Sequence, residues 1–132
     1  MKAIIQKIKF KASPKNLFEM YMDSKKHSEL TGAKAVINRK PGGKFSAYGG
    51  YCWGKNLMIV PNKMIVQTWR AADWTKKDLD SILILIFEFA KGGGLVNIVH
   101  TNVPDRHAGH LNQGWKDHYW KRWISYLKTQ KG

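Results

Sequence analysis

Two polar side chains stand within strongly apolar segments of this sequence and could act on a bound molecule. Arg122 lies in the aromatic run GWKDHYWKRWISYL (residues 114–127), on the helix face that also carries Trp115 and Tyr126. A guanidinium on that face could bind a carboxylate or phosphate through paired hydrogen bonds. The alternative is that Arg122 reaches solvent or stacks on a neighbouring ring.

The second polar candidate is His100, which shares its predicted strand face with Val96 and Ile98. A half-buried imidazole in this position could transfer protons or anchor a polar group of a ligand. A plain hydrogen-bonded role in the core is the alternative. No carboxylate or nucleophile stands at a recognisable spacing from His100, so we predict no catalytic residues.

Three histidines, His107, His110 and His118, raise the question of a metal site. Zinc needs three or four ligands that converge on one point. On a helical wheel His110 lies near the outer side and His118 near the inner edge, so we expect the two to diverge and predict no metal. Cys52, the single cysteine, has no activating partner and is not expected to be a nucleophile.

Aromatic side chains from separate strands and from the last helix are the strongest candidates, because the walls of a cavity would come from such different elements. A plain packed core is the alternative, since large rings also dominate cores. The predicted ligand-binding residues are Phe45, Tyr51, Trp53, Trp69, His100, Trp115, Tyr119 and Arg122. An apolar pocket with few polar anchors is typical of a site for a small hydrophobic molecule. No cofactor is predicted.

Hydrophobic spacing and turn residues define the elements that would position these side chains. Residues 3–10 alternate as a strand, Ser13-Pro14 is typical of a helix start, and a second short helix is predicted over 25–30. The period then changes to two, which predicts strands over 35–39, 44–48, 51–60, 64–70, 81–89 and 95–103. Short turns between consecutive strands predict an antiparallel meander.

The final helix must lie lengthwise against the sheet, because its apolar arc is unusually wide. At about 100° per residue, one arc holds Leu111, Trp115, Tyr119, Trp123 and Tyr126. The predicted fold is α+β, with a curved antiparallel sheet of about six to seven strands around a long C-terminal helix and two short helices after the first strand. We expect residues 1–132 to form one domain with a single core.

The strand predicted over 81–89 is apolar on both faces. Leu83, Leu85 and Phe87 are expected to face the core. Ile82, Ile84 and Ile86 then point outward, where an antiparallel sheet normally carries polar residues. Three isoleucines in line predict a homodimer contact. Cover by segment 71–79 with its Trp74 is the alternative.

Charge and composition limit the partners. The chain has 23 Lys+Arg against 9 Asp+Glu, a formal charge of +14. This balance favours a solvated basic surface, with contact to an acidic protein as the alternative. No run of five basic residues occurs, so specific nucleic-acid binding is not predicted. With no signal peptide and no long apolar run, we expect a cytoplasmic protein without a membrane span.

Six short motifs occur in one order along the chain: FxASP (10–14), HxxLTG (27–32), GGxF (42–45), Pro61, IVQxWR (65–70) and VP with GWxxxY (103–119). Together they resemble the activator of 90-kDa heat-shock-protein ATPase homologue family. That family belongs to the START/birch-allergen-like (SRPBCC) helix-grip superfamily, and the resemblance covers nearly the whole chain. The chain begins directly in the helix-grip domain, so a single-domain member is expected.

The resemblance implies a cavity between the sheet and the C-terminal helix, and three functions follow as expectations. The first is non-enzymatic binding of a small hydrophobic ligand in that cavity. The second is a protein-interaction module of co-chaperone type, with the basic surface contacting an acidic chaperone. The third is a cyclase- or hydrolase-like enzyme, which would need His100 or Arg122 to face a reactive centre.

Overall fold

One antiparallel sheet of seven strands wraps around a long C-terminal helix. In the computed structural model, which describes residues 1–130, the strands are β1 (Lys2–Phe10), β2 (Val36–Ile37), β3 (Lys44–Ala47), β4 (Cys52–Val60), β5 (Met64–Ala71), β6 (Ser81–Ala90) and β7 (Gly93–Val103). The helices are α1 (Pro14–Met22), α2 (Ser24–Thr31), α3 (Asp105–Trp115) and α4 (Lys121–Thr129). The spatial order β1-β7-β6-β5-β4-β3-β2 joins β2 to β7 through successive hairpins. The predicted α+β fold is confirmed.

Capping residues mark the start of α1 and the end of α2, and the predicted helix start at Ser13-Pro14 agrees with the structure. The Ser13 hydroxyl accepts a hydrogen bond from the Asn16 backbone N–H at 3.1 Å, and proline takes the first helical position of α1. Gly32 ends α2 with a φ of 75°, a left-handed conformation that favours glycine. No helix among residues 1–130 is both long and apolar enough to span a membrane.

The strand predicted over 35–39 is reduced to the two residues of β2. The Ser28 hydroxyl accepts the backbone N–H of Ala35 at 2.9 Å, and the Ser24 hydroxyl accepts that of Ile37 at 2.9 Å. These two donors lie on the free edge of β2, because the Asn38 N–H between them and the turn still donates to the Lys44 carbonyl of β3 at 3.0 Å. The strand ends early because the chain already turns at Asn38, whose carbonyl accepts the Lys40 N–H at 2.9 Å.

The core lies between the inner face of the sheet and the helices. Its aliphatic centre is fully buried and consists of Ile65, Leu83, Leu85, Val96 and Ile98. The predicted alternation along β6 holds, because Leu83, Leu85 and Phe87 are buried. The half-buried residues of the outer face are Ile82, Ile84 and Ile86.

The first strand and the last helix are tied together through Gln6. Its side-chain amide donates to the Asn112 backbone carbonyl at 2.8 Å, and its carbonyl accepts the indole N–H of Trp120 at 2.7 Å. Because β1 is the edge strand next to β7, these bonds help to fix the edge of the sheet against the helix.

A π-helical turn over Lys116–Trp120 separates α3 from α4. The backbone N–H of Lys121 donates to the carbonyl five residues back, instead of four. The wider turn takes up one extra residue and rotates α4 by about 100° relative to a continuous α-helix. This rotation buries Trp123 completely and turns Arg122 to the surface. The prediction that Arg122 faces the sheet, made from a regular helical wheel, is therefore wrong.

Candidate functional site

A cleft of about 530 Å³ opens between the inner side of the sheet and the C-terminal helix; we call it the aromatic cleft. Its buried walls are Cys52, Trp69, Leu111, Trp115 and Tyr119. Its half-buried or exposed rim is formed by Tyr48, Tyr51, Asp73, His110, Gly114 and His118. The ring centroids of Trp69 and Trp115 are 6.5 Å apart, and those of Trp115 and Tyr119 are 4.8 Å apart. The walls therefore form one continuous aromatic surface.

Helical spacing explains which residues of the C-terminal helix form the rim of the cleft. Side chains four residues apart share a helix face, and His110, Gly114 and His118 form one such row along the rim. Gly114 leaves open space in the middle of this row, because a Cβ atom there would meet only the His118 ring, at 3.8 Å. A small residue at this position keeps the mouth of the cleft open.

Tyr48 ties the strand side of the rim to the helix side. Its hydroxyl donates a hydrogen bond to the His118 backbone carbonyl, which lies in the π-helical turn. The Tyr48 and His118 rings also make an edge contact, with centroids 5.6 Å apart. Partial burial raises the pKa of Tyr48 to about 12, so the phenol stays a hydrogen-bond donor. On the same rim, the Tyr51 hydroxyl donates to the Asp73 carboxylate at 3.2 Å.

A chain of hydrogen bonds behind the cleft fixes the Trp115 ring. Its indole N–H donates to His100 Nδ1 at 3.1 Å, and His100 Nε2 lies 2.7 Å from the Ser81 hydroxyl oxygen. That hydroxyl in turn donates to the Trp69 carbonyl at 2.6 Å. An indole can only donate, so His100 carries its proton on Nε2 and is neutral. Burial lowers the pKa of His100 to about 3, and both of its nitrogens are occupied.

Tyr119 is fixed by a second buried histidine, His27. The Tyr119 hydroxyl donates to His27 Nε2 at 2.9 Å, while His27 Nδ1 donates to the Tyr21 backbone carbonyl at 2.8 Å. Burial lowers the pKa of His27 to about 4, against the opposing effect of the carbonyl. Two neutral histidines thus hold two of the cleft's aromatic walls from behind. Hydrophobic spacing gives no sign of His27, which appears only within the 27–32 motif.

The structure brings four of the eight predicted ligand-binding residues into the cleft: Tyr51, Trp69, Trp115 and Tyr119. His100 lies directly behind the wall. Arg122 is elsewhere, since its guanidinium donates to the Thr31 backbone carbonyl at 3.0 Å and closes the end of α2.

Phe45 and Trp53 also lie outside the cleft. Trp53 is 39% exposed, because neighbouring residues of a strand point to opposite faces and Cys52 takes the cleft side. Phe45 is buried beside Gly54, where a Cβ atom would come within 2.9 Å of its ring. Its ring fills the core at the far end of the sheet.

The sequence did not predict the other residues that line the cleft: Tyr48, Cys52, Asp73, His110, Leu111, Gly114 and His118. His110 and His118 both line the cleft, so the expectation that they diverge is wrong; their spacing of eight residues was the available signal. Among residues 1–130, no three His, Cys, Asp or Glu side chains are placed to hold a metal ion. Burial raises the pKa of the Cys52 thiol to about 12, which keeps it in the unreactive thiol form.

A curved antiparallel sheet closed by a C-terminal helix, with a cleft between the two, defines a helix-grip domain of the SRPBCC type. The chain belongs to the family described as Activator of Hsp90 ATPase homolog 1-like protein, which matches residues 11–128. The family expected from the six motifs is thus confirmed.

A relative and two solved structures illustrate the family. The protein named Activator of 90 kDa heat shock protein ATPase homolog from Dictyostelium discoideum is 31% identical over 115 residues, which are 87% of this chain and 30% of that protein. An HSP90 activator from Plasmodium falciparum has the same fold, with a TM-score of 0.88, 23% identity and 97% of both chains covered. The Aha1 dimer from Colwellia psychrerythraea has a TM-score of 0.73 and 20% identity, and covers 88% of this chain and 89% of that one.

Proposed function

We propose that this chain binds a small hydrophobic molecule in the aromatic cleft without transforming it. The observation that carries the proposal is a cleft of about 530 Å³ whose Trp115 and Tyr119 walls are each held by a buried histidine. Ligand sites typically have volumes of about 300–1,000 Å³, apolar walls and a few polar groups. Rings that are already held in place lose little entropy when a ligand binds.

The residues around the cleft suggest the shape and polarity of the ligand. Aromatic walls on several sides favour a flat ring system, which can stack offset or edge-on against them. Asp73, His110 and His118 stand at the exposed rim and would contact a polar end that points to solvent.

The enzyme hypothesis receives less support from the same geometry. It required His100 or Arg122 to face a reactive centre. His100 has both nitrogens engaged in the core, and Arg122 binds the end of α2. Neither side chain lines the cleft.

Filling the cleft through Gly114→Leu is expected to weaken binding of the uncharged dye N-phenylnaphthylamine by about tenfold or more, because the new side chain occupies space the dye needs. The substitution should not unfold the protein. Leucine is favoured over glycine in a helix by about 0.8 kcal/mol, and a Cβ at this position meets no backbone. Dye fluorescence measures the affinity, and native mass spectrometry reports any ligand that co-purifies.

Gly109→Leu is the matched control. Gly109 lies on the same helix, is exposed, and has no atom within 4 Å of a built Cβ. It gains the same helix propensity without entering the cleft and should bind dye like the wild type. Equal binding by the wild type and Gly114→Leu would reject the cleft as the site.

A second function is favoured by the family. The Dictyostelium relative is named as an activator of a 90-kDa heat shock protein, and this chain spans 30% of its length. With a formal charge of +14, the chain could contact an acidic chaperone surface. The purified 90-kDa heat shock protein should then hydrolyse ATP faster when the chain is added, with an effect that falls steeply as salt rises. No change in the ATPase rate at low salt would contradict this function.

A further inference from the structure

One end of the molecule carries exposed apolar side chains among lysines. Two hairpins meet there, β4–β5 with its turn over residues 60–64 and β6–β7 with its turn over residues 90–93, and the Lys63 carbonyl accepts the Phe87 backbone N–H at 2.8 Å. The C-terminal helix runs towards the same end, because Phe10, the last residue of β1, contacts Trp123 of α4 at 5.5 Å between ring centroids. We call this region the hairpin end.

Phe89 is the most exposed large apolar side chain among residues 1–130, with 86% of it accessible. It shares a face of β6 with the buried Phe87, since residues two apart along a strand point to the same side. Phe18 of α1 covers Phe87 at 5.7 Å between ring centroids, whereas Phe89 lies beside the first residues of that helix. A phenylalanine ring left in water adds little to the stability of the fold, but it would favour binding to any apolar phase that buried it.

Two apolar grooves open at the hairpin end. The larger, of about 820 Å³, lies between the start of α1 and the two hairpins. Its apolar wall includes Val60, Pro61, Met64, Ile86 and Phe89. The smaller, of about 410 Å³, lies between β1 and the end of α4, and its apolar wall is Phe10, Ile124 and Leu127. Apolar surface at this end is therefore spread over several elements, as on a face that enters a membrane shallowly.

Six lysines surround the two grooves, and all six are exposed: Lys9, Lys11, Lys15, Lys63, Lys91 and Lys128. Five of them line a groove, and Lys91 stands in the β6–β7 turn two residues after Phe89. Among residues 1–130, the one carboxylate that lines either groove is Glu88, which accepts a hydrogen bond from the Asn97 side chain. The apolar surface is thus framed by positive charge.

The opposite end of the molecule, formed by the loop between β5 and β6 and by the start of α3, has a different charge. Four of the nine acidic residues of the chain lie there: Asp73, Asp78, Asp80 and Asp105. Asp78 pairs with Arg106, Asp80 with Arg70, and Asp105 with the N-terminal ammonium. Trp74 of the same loop stacks on His107 at the inner side of the sheet, so the loop does not cover the outer isoleucines of β6. Carboxylates offset cations at this end, whereas lysines dominate the hairpin end.

We propose that the hairpin end docks on an anionic lipid bilayer, with Phe89 at the boundary between headgroups and acyl chains and the lysines at the level of the phosphates. Exposed apolar side chains beside lysines are the combination that holds a protein reversibly at an anionic membrane surface. The bilayer fits better than an acidic protein or a nucleic acid, because a polyanion in water would satisfy the lysines and leave Phe89 exposed. The contact is peripheral and needs no membrane-spanning helix.

Docking through the hairpin end would leave the aromatic cleft accessible. Asp73, on the rim of the cleft, belongs to the loop that forms the opposite end of the molecule. No residue that lines the cleft also lines either groove of the hairpin end. Membrane docking therefore does not rest on ligand binding in the cleft, and Gly114→Leu should bind vesicles like the wild type.

The purified protein is expected to co-sediment with phosphatidylglycerol vesicles but not with phosphatidylcholine vesicles, and sodium chloride should weaken the binding. Phe89→Ser should weaken it by about tenfold, because the bilayer loses the ring it buries. Phe89→Trp should bind at least as tightly as the wild type, since tryptophan also favours the membrane interface. Leu79→Ser is the matched control: Leu79 is 66% exposed but lies in the loop of the opposite end, so binding should not change.

A pair of double variants separates docking by one end from attraction by net charge. Lys63→Gln with Lys91→Gln should weaken vesicle binding by about thirtyfold, because each lysine near an anionic surface contributes to the affinity. Lys76→Gln with Lys77→Gln removes the same charge from the loop of the opposite end and should have little effect. All four lysines are exposed, and circular dichroism verifies that both variants fold.

Three results would overturn the proposal: no binding to phosphatidylglycerol vesicles at low salt, an equal effect of the two lysine pairs, or vesicle binding that is insensitive to Phe89→Ser. Polyglutamate serves as a soluble polyanion without an apolar phase. If Phe89→Ser weakened polyglutamate binding as strongly as vesicle binding, the hairpin end would be assigned to an acidic protein, which also overturns the proposal.

Discussion

Acidification from about pH 7 to about pH 4 is expected to lower the free energy of unfolding by about 6 kcal/mol, because two histidines are buried in neutral form. Burial lowers the pKa of His27 to about 4 and the pKa of His100 to about 3, from an ordinary value of 6.5. At a pH between the lowered pKa of the folded state and the ordinary pKa of 6.5, each histidine binds a proton in the unfolded chain but not in the folded chain. Stability is therefore complete above about pH 6.5 and falls with the pH, by about 3 kcal/mol for each histidine over this window.

Urea unfolding followed by tryptophan fluorescence at a series of pH values measures this dependence. His27→Gln and His100→Gln each retain a donor and an acceptor but cannot titrate. Each should therefore remove about half of the acid-induced decrease in the free energy of unfolding. His110→Gln is the matched control, because His110 is exposed at the rim of the cleft. Identical pH profiles for the wild type and both buried variants would show that other groups cause the acid sensitivity.

Replacing Trp115 by phenylalanine should cost about 3 kcal/mol of stability, whereas the same change at Trp123 should cost only about 1 kcal/mol. Both indoles are buried, at 4% and 0% exposure. Trp115 donates to His100, and its loss leaves a buried imidazole nitrogen without a donor. Within the part of the chain that the structure describes, the Trp123 indole N–H has no hydrogen-bond partner to lose.

The two variants are a matched pair, since each deletes the same atoms from a buried ring. Their difference therefore isolates the hydrogen bond to His100 from the loss of packing. Urea unfolding at neutral pH gives both values. An equal cost at the two positions would mean that the hydrogen bonds linking Trp115, His100 and Ser81 contribute nothing to stability beyond the burial of the ring.

The positions of the secondary-structure elements were largely predictable, because they depend on local patterns. Alternation predicted β1, β4, β5, β6 and β7 to within about two residues. Ser13-Pro14 predicted the start of the first short helix for reasons of capping. The strand over 35–39 was overestimated, because the Lys40 N–H donates to the Asn38 carbonyl and the chain turns there. Alternation of side chains does not show where such a turn begins.

Four of the eight predicted ligand-binding residues line the cleft. The wrong placements of Trp53 and Arg122 have two different physical origins. Trp53 was assigned by residue type although strand alternation with Cys52 decides which side it faces. Arg122 was placed by a regular helical wheel, and the π-helical turn shifts every residue after it by about one position. No local pattern in the sequence indicates that turn. The backbone carbonyl of His118, which lies in that turn, accepts a hydrogen bond from the hydroxyl of Tyr48 on the sheet side of the cleft.

The pairing of β1 with β7 bears on the order in which the molecule can be assembled during synthesis. Residues 2–10 leave the ribosome well before their partner strand, which ends at Val103, and Gln6 binds Asn112, which is 106 positions away. The first strand therefore stays unpaired until β7 has been synthesised, which makes its docking a late, non-local event. Charged residues on a strand edge discourage wrong pairing. Lys7 and Lys9, which alternate along β1 on the solvent side, would protect the nascent strand from aggregation during that wait.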